Sequence, residues 1–208
     1  MISFDTLNLP SSQHSQDRVH FRETLDGFLA LLADGAGGVA GGAAAAEKFI
    51  EHFDSLQTLE KTTLCREFAA LDSSLHHDPI TGDTTGIVAV AREGRIFGAS
   101  VGDSQAWFLP TQGEPTELTA RQARKPLLGS GEAWAVPFSY PLEPGTLLLC
   151  SDGLHKYADH QRILARIREQ RPEDLTTDLA NLARMPSGGL QDDLSVIVVR
   201  INGDIIGE

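Results

Sequence analysis

The chain has 208 residues, 41% of them hydrophobic and 22% charged, the make-up of a globular protein with a sizeable core. Its 29 acidic residues against 17 Lys and Arg give a net charge of -12, which excludes a nonspecific nucleic-acid or anionic-membrane binder and favours cations as partners. No linker divides the chain, the longest apolar runs are too short to span a bilayer, and "MISFDTLNLP" has neither a basic region nor an apolar core, so one cytoplasmic domain over residues 1–208 is expected.

In chain order, Val19–Glu23 and Phe28–Ala33 read as strands joined by "TLDG", an Asp-Gly hairpin signal. After a glycine cluster, Ala43–Phe53 and Gln57–Leu75 carry helical composition and spacing. Ile87–Ala91, Arg95–Val101 and Gln105–Leu109 are short β-rich runs between Glu-Gly and Gly-Asp turns, which predicts a meander. Residues 119–139 are irregular and locally basic, a loop or flap. Thr146–Cys150 reads as a strand, Asp159–Gln170 and Pro172–Met185 as two helices, and "DDLSVIVVRI" contains a last buried strand. The order fits an α+β fold with antiparallel sheets and helix pairs as outer layers. Cys65 and Cys150 lack metal-binding spacing and are expected to be buried reduced thiols. Trp107 and Trp134 are read as packing residues, with Trp134 alternatively bordering the flap.

Gly35, Gly37 and Ala40 match the dinucleotide fingerprint G-x-G-x-x-A between a strand and a helix. Asp34, directly before the first glycine, would repel a pyrophosphate. Asp54 stands at the ribose-binding spacing but between two helical segments, and the flanking hairpin does not begin an alternating βαβ sheet.

The pattern of an apolar strand followed by Asp beside Gly returns at Asp103 in "ASVGDS" and at Asp152 in "LLLCSDGL". Asp192 and Asp193 stand before the last strand, and Asp17 stands before the first. Taken singly, each is ordinary turn chemistry. Taken together, they are carboxylates beside buried strands with few cations nearby, Arg18 being the nearest. A divalent cation resolves such repulsion. All-oxygen ligation suits Mg2+ or Mn2+, and a pair of such ions suits displacement at phosphorus.

Through "SQDR", "ADGAGGVAGGAAA", "GDTTGIVAV", "GASVGDSQAW", "LLLCSDGL" and "DDLSVIVV", in this order, the chain resembles the metal-dependent serine/threonine protein phosphatases of type 2C (PPM), in a small bacterial form. The resemblance implies a four-layer α-β-β-α sandwich, two central antiparallel sheets flanked by helix pairs. It also implies two Mn2+ or Mg2+ ions per chain, with a weaker third in some members. Asp34 resembles the carboxylate that bridges the two metals, with the Gly35 carbonyl as a ligand of the second. Asp152 and Asp192 resemble the other ligands of the first, Asp17 supports the second, and Asp103 resembles a third-metal ligand. The implied activity is hydrolysis of phosphoserine and phosphothreonine monoesters by water activated at the two-metal site.

Several positions depart from the family pattern. Ser12 stands where an Arg often binds phosphate, Ala36 where some members have a His, and Lys156 where the third-metal region expects an acid. Arg18, Arg121, Arg124, Lys125 and Lys156 are the candidates to bind phosphate instead, and His14 lies three residues from Asp17. A monomer acting on a phosphoprotein substrate, with no nucleic-acid or membrane partner, is expected. The alternatives are a catalytically weak or inactive protein-binding relative and a regulatory phosphatase of the sporulation stage II E type.

Overall fold

The computed structural model describes residues 2–36, 41–56, 59–169 and 172–203. It opens with β1 (Ile2–Leu9), followed by the hairpin β2 (Arg18–Thr24) and β3 (Gly27–Ala33), whose register pairs Thr24 with Gly27 across the expected Leu25–Asp26 turn. A two-residue strand, β4 (Gly35–Ala36), precedes helices α1 (Gly41–Ser55) and α2 (Leu64–His76). Then come β5 (Asp83–Thr84), β6 (Gly86–Arg92), β7 (Arg95–Val101), β8 (Gln105–Pro110) and β9 (Thr116–Glu117). The chain closes with β10 (Val136–Pro141), β11 (Gly145–Cys150), α3 (Asp152–His155), α4 (His160–Glu169), α5 (Pro172–Ala183) and β12 (Leu194–Ile201).

Two five-stranded antiparallel sheets form, in the orders β1-β12-β11-β8-β9 and β10-β7-β6-β3-β2. Strand β3 explains why its apolar run is unbroken, since both of its faces are covered. Phe28, Ala30 and Leu32 enter the core between the sheets, where they join Ile87, Phe108, Leu147, Ile197 and Val199. Leu29, Leu31 and Ala33 face outward onto Phe49 and Phe53 of α1 and Phe68 of α2. The other sheet repeats the scheme, with Leu148, Cys150, Val196 and Val198 under Ile163, Ile167, Leu175 and Leu179 of α4 and α5. The layers are therefore α-β-β-α, as the resemblance implied. Gly86 is needed where α1 meets the sheet, because a Cβ there would lie 2.3 Å from the Phe49 ring.

The sheet register also places the acidic motifs. Antiparallel pairing of β3 with β6 and of β6 with β7 makes β3 and β7 parallel in direction, so Asp34 and Asp103 follow them at the same end. Pairing of Arg18 with Ala33 brings Asp17 there, and pairing of Cys150 with Val196 and Gln105 brings Asp152 and Asp192 together with Asp103.

Some expectations are corrected. The three runs from Ile87 to Leu109 are not one meander: β6 and β7 share the tight Glu93–Gly94 turn, both residues at positive φ, but β8 joins the opposite sheet beside β11. The turn at Gly102–Ser104 carries the chain across the sandwich. The first strand is β1, paired along its length with β12. The second helix starts at Leu64, and Gln57 and Thr58 lie outside the described residues. Trp134 is 57% exposed and packs less than expected, while Trp107 packs at a tilt against the His160 ring.

The segment 119–139 is irregular over most of its length and ends inside β10, which pairs with β7. It is also pinned. Leu128 exchanges backbone hydrogen bonds with Thr84, at 2.9 and 3.1 Å. The buried Asp72 carboxylate of α2 accepts the N–H groups of Gly129 (2.7 Å), Gly131 (3.2 Å) and Ala133 (3.1 Å). Asp72→Ala is expected to cost on the order of 3 kcal/mol in denaturant unfolding and to speed amide exchange across residues 129–133. Unchanged exchange in that segment would contradict this anchoring.

Candidate active site

Asp34 follows β3 directly, and its backbone is clamped on both sides. Its N–H donates to Thr85 Oγ1 (3.0 Å), and its carbonyl accepts from Thr85 N (2.8 Å) and Thr84 Oγ1 (3.0 Å). Gly35 then passes so close to α1 that a Cβ would lie 2.4 Å from the Gly42 carbonyl oxygen. Gly37 and Ala40, the rest of the fingerprint, lie outside the described residues.

Asp17 is 1% exposed, and neither of its carboxylate oxygens meets a donor in hydrogen-bonding geometry. Burial raises its carboxyl from 3.8 to about 7, the nearby Ser151 and Ser195 hydroxyls oppose the rise, and Asp193 adds to it. Burial likewise raises Asp34, to about 9, and the charges of Asp17, Asp152, Asp103 and Asp192 push the same way. The Asp192 carboxyl is also raised, first by burial and then by Asp152. Asp17, Asp103, Asp152 and Asp192 are thus within electrostatic reach of Asp34, at the sandwich end where the register puts them.

A cleft of about 490 Å³ opens there, lined by Asp34, Ala36, Thr85, Asp103, Arg124, Lys125, Leu127, Asp152 and Lys156. Lys156, one helical turn beyond Asp152, ion-pairs with that carboxylate and lies 3.5 Å from Asp103 Oδ2. Arg124 Nε donates to the same Asp103 oxygen at 2.8 Å. His155 Nε2 lies 2.9 Å from the Asp103 carbonyl oxygen, which can only accept, so the proton sits on Nε2. Burial lowers the His155 pKa, which keeps the ring neutral.

Among the described residues, no three His, Cys, Asp or Glu side chains are arranged as a ready metal-ligand set. Lys156 and Arg124 pair with Asp152 and Asp103, and the Asp193 N–H donates to Asp192 Oδ1 at 3.0 Å. The acids are gathered, but the chain's own cations and amides orient several of them.

Of the phosphate candidates, Arg124, Lys125 and Lys156 line the cleft. Arg18 does not line it, because its Nε pairs with Glu47 Oε2 at 2.5 Å and its Nη1 donates to the Ser15 and Asp17 carbonyls. Arg121 and His14 are exposed and likewise stand outside the cleft lining. Asp193 has a separate task that its sequence position did not show. Its Oδ1 accepts from Ser11 N (2.7 Å) and Ser11 Oγ (2.8 Å), and its Oδ2 accepts from Gln16 N (2.7 Å), tying the 11–16 loop beside Asp17.

The sequence pattern of the stage II sporulation protein E (SpoIIE) family matches residues 26–202, from the first hairpin to the last strand. The chain belongs to this family. The type 2C (PPM) phosphatase resemblance of its motifs therefore stands, and solved structures show the same fold in other proteins. A variant of a bacterial serine phosphatase superposes with a TM-score of 0.84 at 21% identity, covering 97% of this chain and 99% of that one. Serine/threonine phosphatase Stp1 from Staphylococcus aureus gives a TM-score of 0.80 at 21% identity, with 97% and 95% covered. The Mycobacterium tuberculosis serine/threonine phosphatase PstP/Ppp gives 0.79 at 21%, with 97% and 99% covered. Comparison with curated protein sequences finds no match. No helix among the described residues of this SpoIIE-family chain is long and apolar enough to cross a membrane.

The carboxyl shifts set a pH dependence for the metal-free protein. Asp17 and Asp34 sit above their ordinary 3.8, so the stability they lend is full below that value and is lost as pH rises through about 7 and about 9. Without divalent ions, the Tm should fall between about pH 6 and about pH 9, and Asp34→Asn should flatten the slope. A Tm that rises over this range in the parent protein would overturn the assignment.

Proposed function

We propose that the protein is a Mn2+- or Mg2+-dependent phosphatase acting on phosphoserine or phosphothreonine in proteins. The observation that carries the reading is the sheet register that gathers Asp17, Asp34, Asp103, Asp152 and Asp192 at one end of the sandwich, where burial first, and then the charges of the other four, push the Asp34 carboxyl up to about 9. Asp34, the Gly35 carbonyl, Asp152 and Asp192 would hold the two ions, with Asp17 in support and Asp103 beside a weaker third. The donor set fits hard cations, because it is all oxygen, and the buried Asp17 oxygens lack the hydrogen-bond donors that would otherwise compensate them. When bound there, such ions acidify water and neutralise a phosphoryl group.

The chain's own residues do the rest. Arg124, Lys125 and Lys156 line the same cleft as the acids and supply the cationic surface that binds and orients the phosphate dianion. They thereby take the place of the Arg replaced by Ser12. Among the described residues, no Cys or His lines the cleft. The Cys150 thiol is buried and pushed up to about 12, far from thiolate reactivity. Water rather than a side chain is thus the nucleophile this site favours. Retention of Asp at every core ligand position favours catalysis over a purely protein-binding role.

Purified protein with Mn2+ should hydrolyse p-nitrophenyl phosphate, and Asp34→Asn should lower kcat by about 1,000-fold or more. Turnover that survives both a chelator and this substitution would refute the proposal. Arg124→Ala should raise KM about tenfold with a smaller change in kcat, the signature of lost ground-state phosphate binding. An unchanged KM would remove Arg124 from the phosphate site.

A further inference from the structure

A second cleft, of about 350 Å³, opens beside the first and shares Asp103, Arg124 and Lys156 with it. Its remaining lining includes Gln105, Glu117, Thr119, Ala120, Gln122 and His155. The two ends differ in charge. At the shared wall the cations Arg124 and Lys156 stand around Asp103, with which both pair, while the rest of the lining carries Glu117 on the edge strand β9, paired in register with Trp107.

The far wall is short of hydrogen-bond donors. Glu117 forms no ion pair among the described residues, and its one side-chain hydrogen bond is a long contact of 3.4 Å from the Thr119 hydroxyl. Burial raises its carboxyl, Thr119 opposes the rise, and His160 opposes it more weakly. Gln122 donates its Nε2 to the Ser104 carbonyl at 2.6 Å, which fixes the amide and leaves Oε1 buried without a partner. A carboxylate with one long hydrogen bond and no ion pair among the described residues, in a cavity that adjoins the proposed phosphate-binding wall, calls for a group rich in N–H.

We propose that this side cleft is a specificity subsite for the Lys or Arg side chain that flanks the phosphorylated residue of a basic phosphopeptide, with Glu117 as the counter-charge. The assignment rests on the phosphatase reading above. The phosphate engages the shared cationic wall, and the neighbouring ammonium or guanidinium reaches the acidic one. The net charge of -12 steers such a substrate toward the protein.

The test uses phosphoserine peptides of alanine background, each with a single Lys at one position on either side of the phosphoserine. With Mn2+, one position should raise kcat/KM about tenfold over the all-alanine peptide. Glu117→Gln should bring that ratio near unity, and Glu117→Lys should invert it in favour of a peptide carrying Glu there. Equal turnover of every peptide by the parent protein, or a ratio unchanged in Glu117→Gln, overturns the subsite. Aryl phosphate turnover by the parent protein reports on the phosphatase reading separately. If that turnover is absent, fluorescence anisotropy of the labelled Lys peptides still decides: about tenfold weaker binding to Glu117→Gln upholds the subsite, and equal binding overturns it.

Discussion

Carboxylates crowded into one end of a β-sandwich repel one another, and much of the surrounding structure holds them against that repulsion. Asp34 is fixed by three hydrogen bonds between its own backbone and Thr84 and Thr85, which leaves its carboxylate free of structural duty. Asp193 accepts three hydrogen bonds from the 11–16 loop and so holds in place the segment that leads into Asp17. Ser151 and Ser195 lock the end of β11 to the start of β12 through Ser195 N–H to Ser151 Oγ at 2.9 Å and Ser151 N–H to the Ser195 carbonyl at 3.0 Å. Backbone amides, hydroxyls and the Asp193 carboxylate thus fix the segments that carry the acids, while Arg124 and Lys156 pair with Asp103 and Asp152. Such an arrangement is costly for stability and suited to binding positive charge.

The site is built across both sheets, which explains why the inter-sheet core has to be rigid. Asp34 and Asp17 come from one sheet and Asp152 and Asp192 from the other, while Asp103 lies on the turn that passes between them. Any slip of one sheet over the other would pull the acidic group apart. The core that prevents this interdigitates Phe28, Phe108, Phe138 and Leu147 with small residues such as Ala30, Ala89 and Ala106.

How much of this could be read in the chain depended on whether a residue's role was local. The hairpin at Leu25–Asp26, the Glu93–Gly94 turn and the doubly covered strands announce themselves through turn chemistry and unbroken apolar runs. The aspartates at strand ends were legible for the same reason, since Asp beside Gly after an apolar strand is a conspicuous local pattern. Strand β1 was not legible, because its apolar residues change phase: Ile2 joins the inter-sheet core, whereas Leu7 and Leu9 pack toward the helices. Strand β10 carries Pro137 and Pro141, which count against a strand, yet it lies at a sheet edge where proline is tolerated. The jump of β8 between sheets leaves no mark in loop length. Asp72 and Glu117 were hidden for a deeper reason: each takes its meaning from partners distant in the chain or from a cavity wall, and on paper each looks like an ordinary polar residue.

Lys156 differs from a dissolved ion in one respect that matters. It lies one turn after Asp152 on the same short stretch of chain, so its charge arrives with the fold and cannot be diluted, chelated or exchanged. Part of the compensation that this acidic end requires is therefore encoded as a covalent constant rather than drawn from the surroundings. A single change of codon at that position would make the protein's charge balance a property of its environment instead of its sequence.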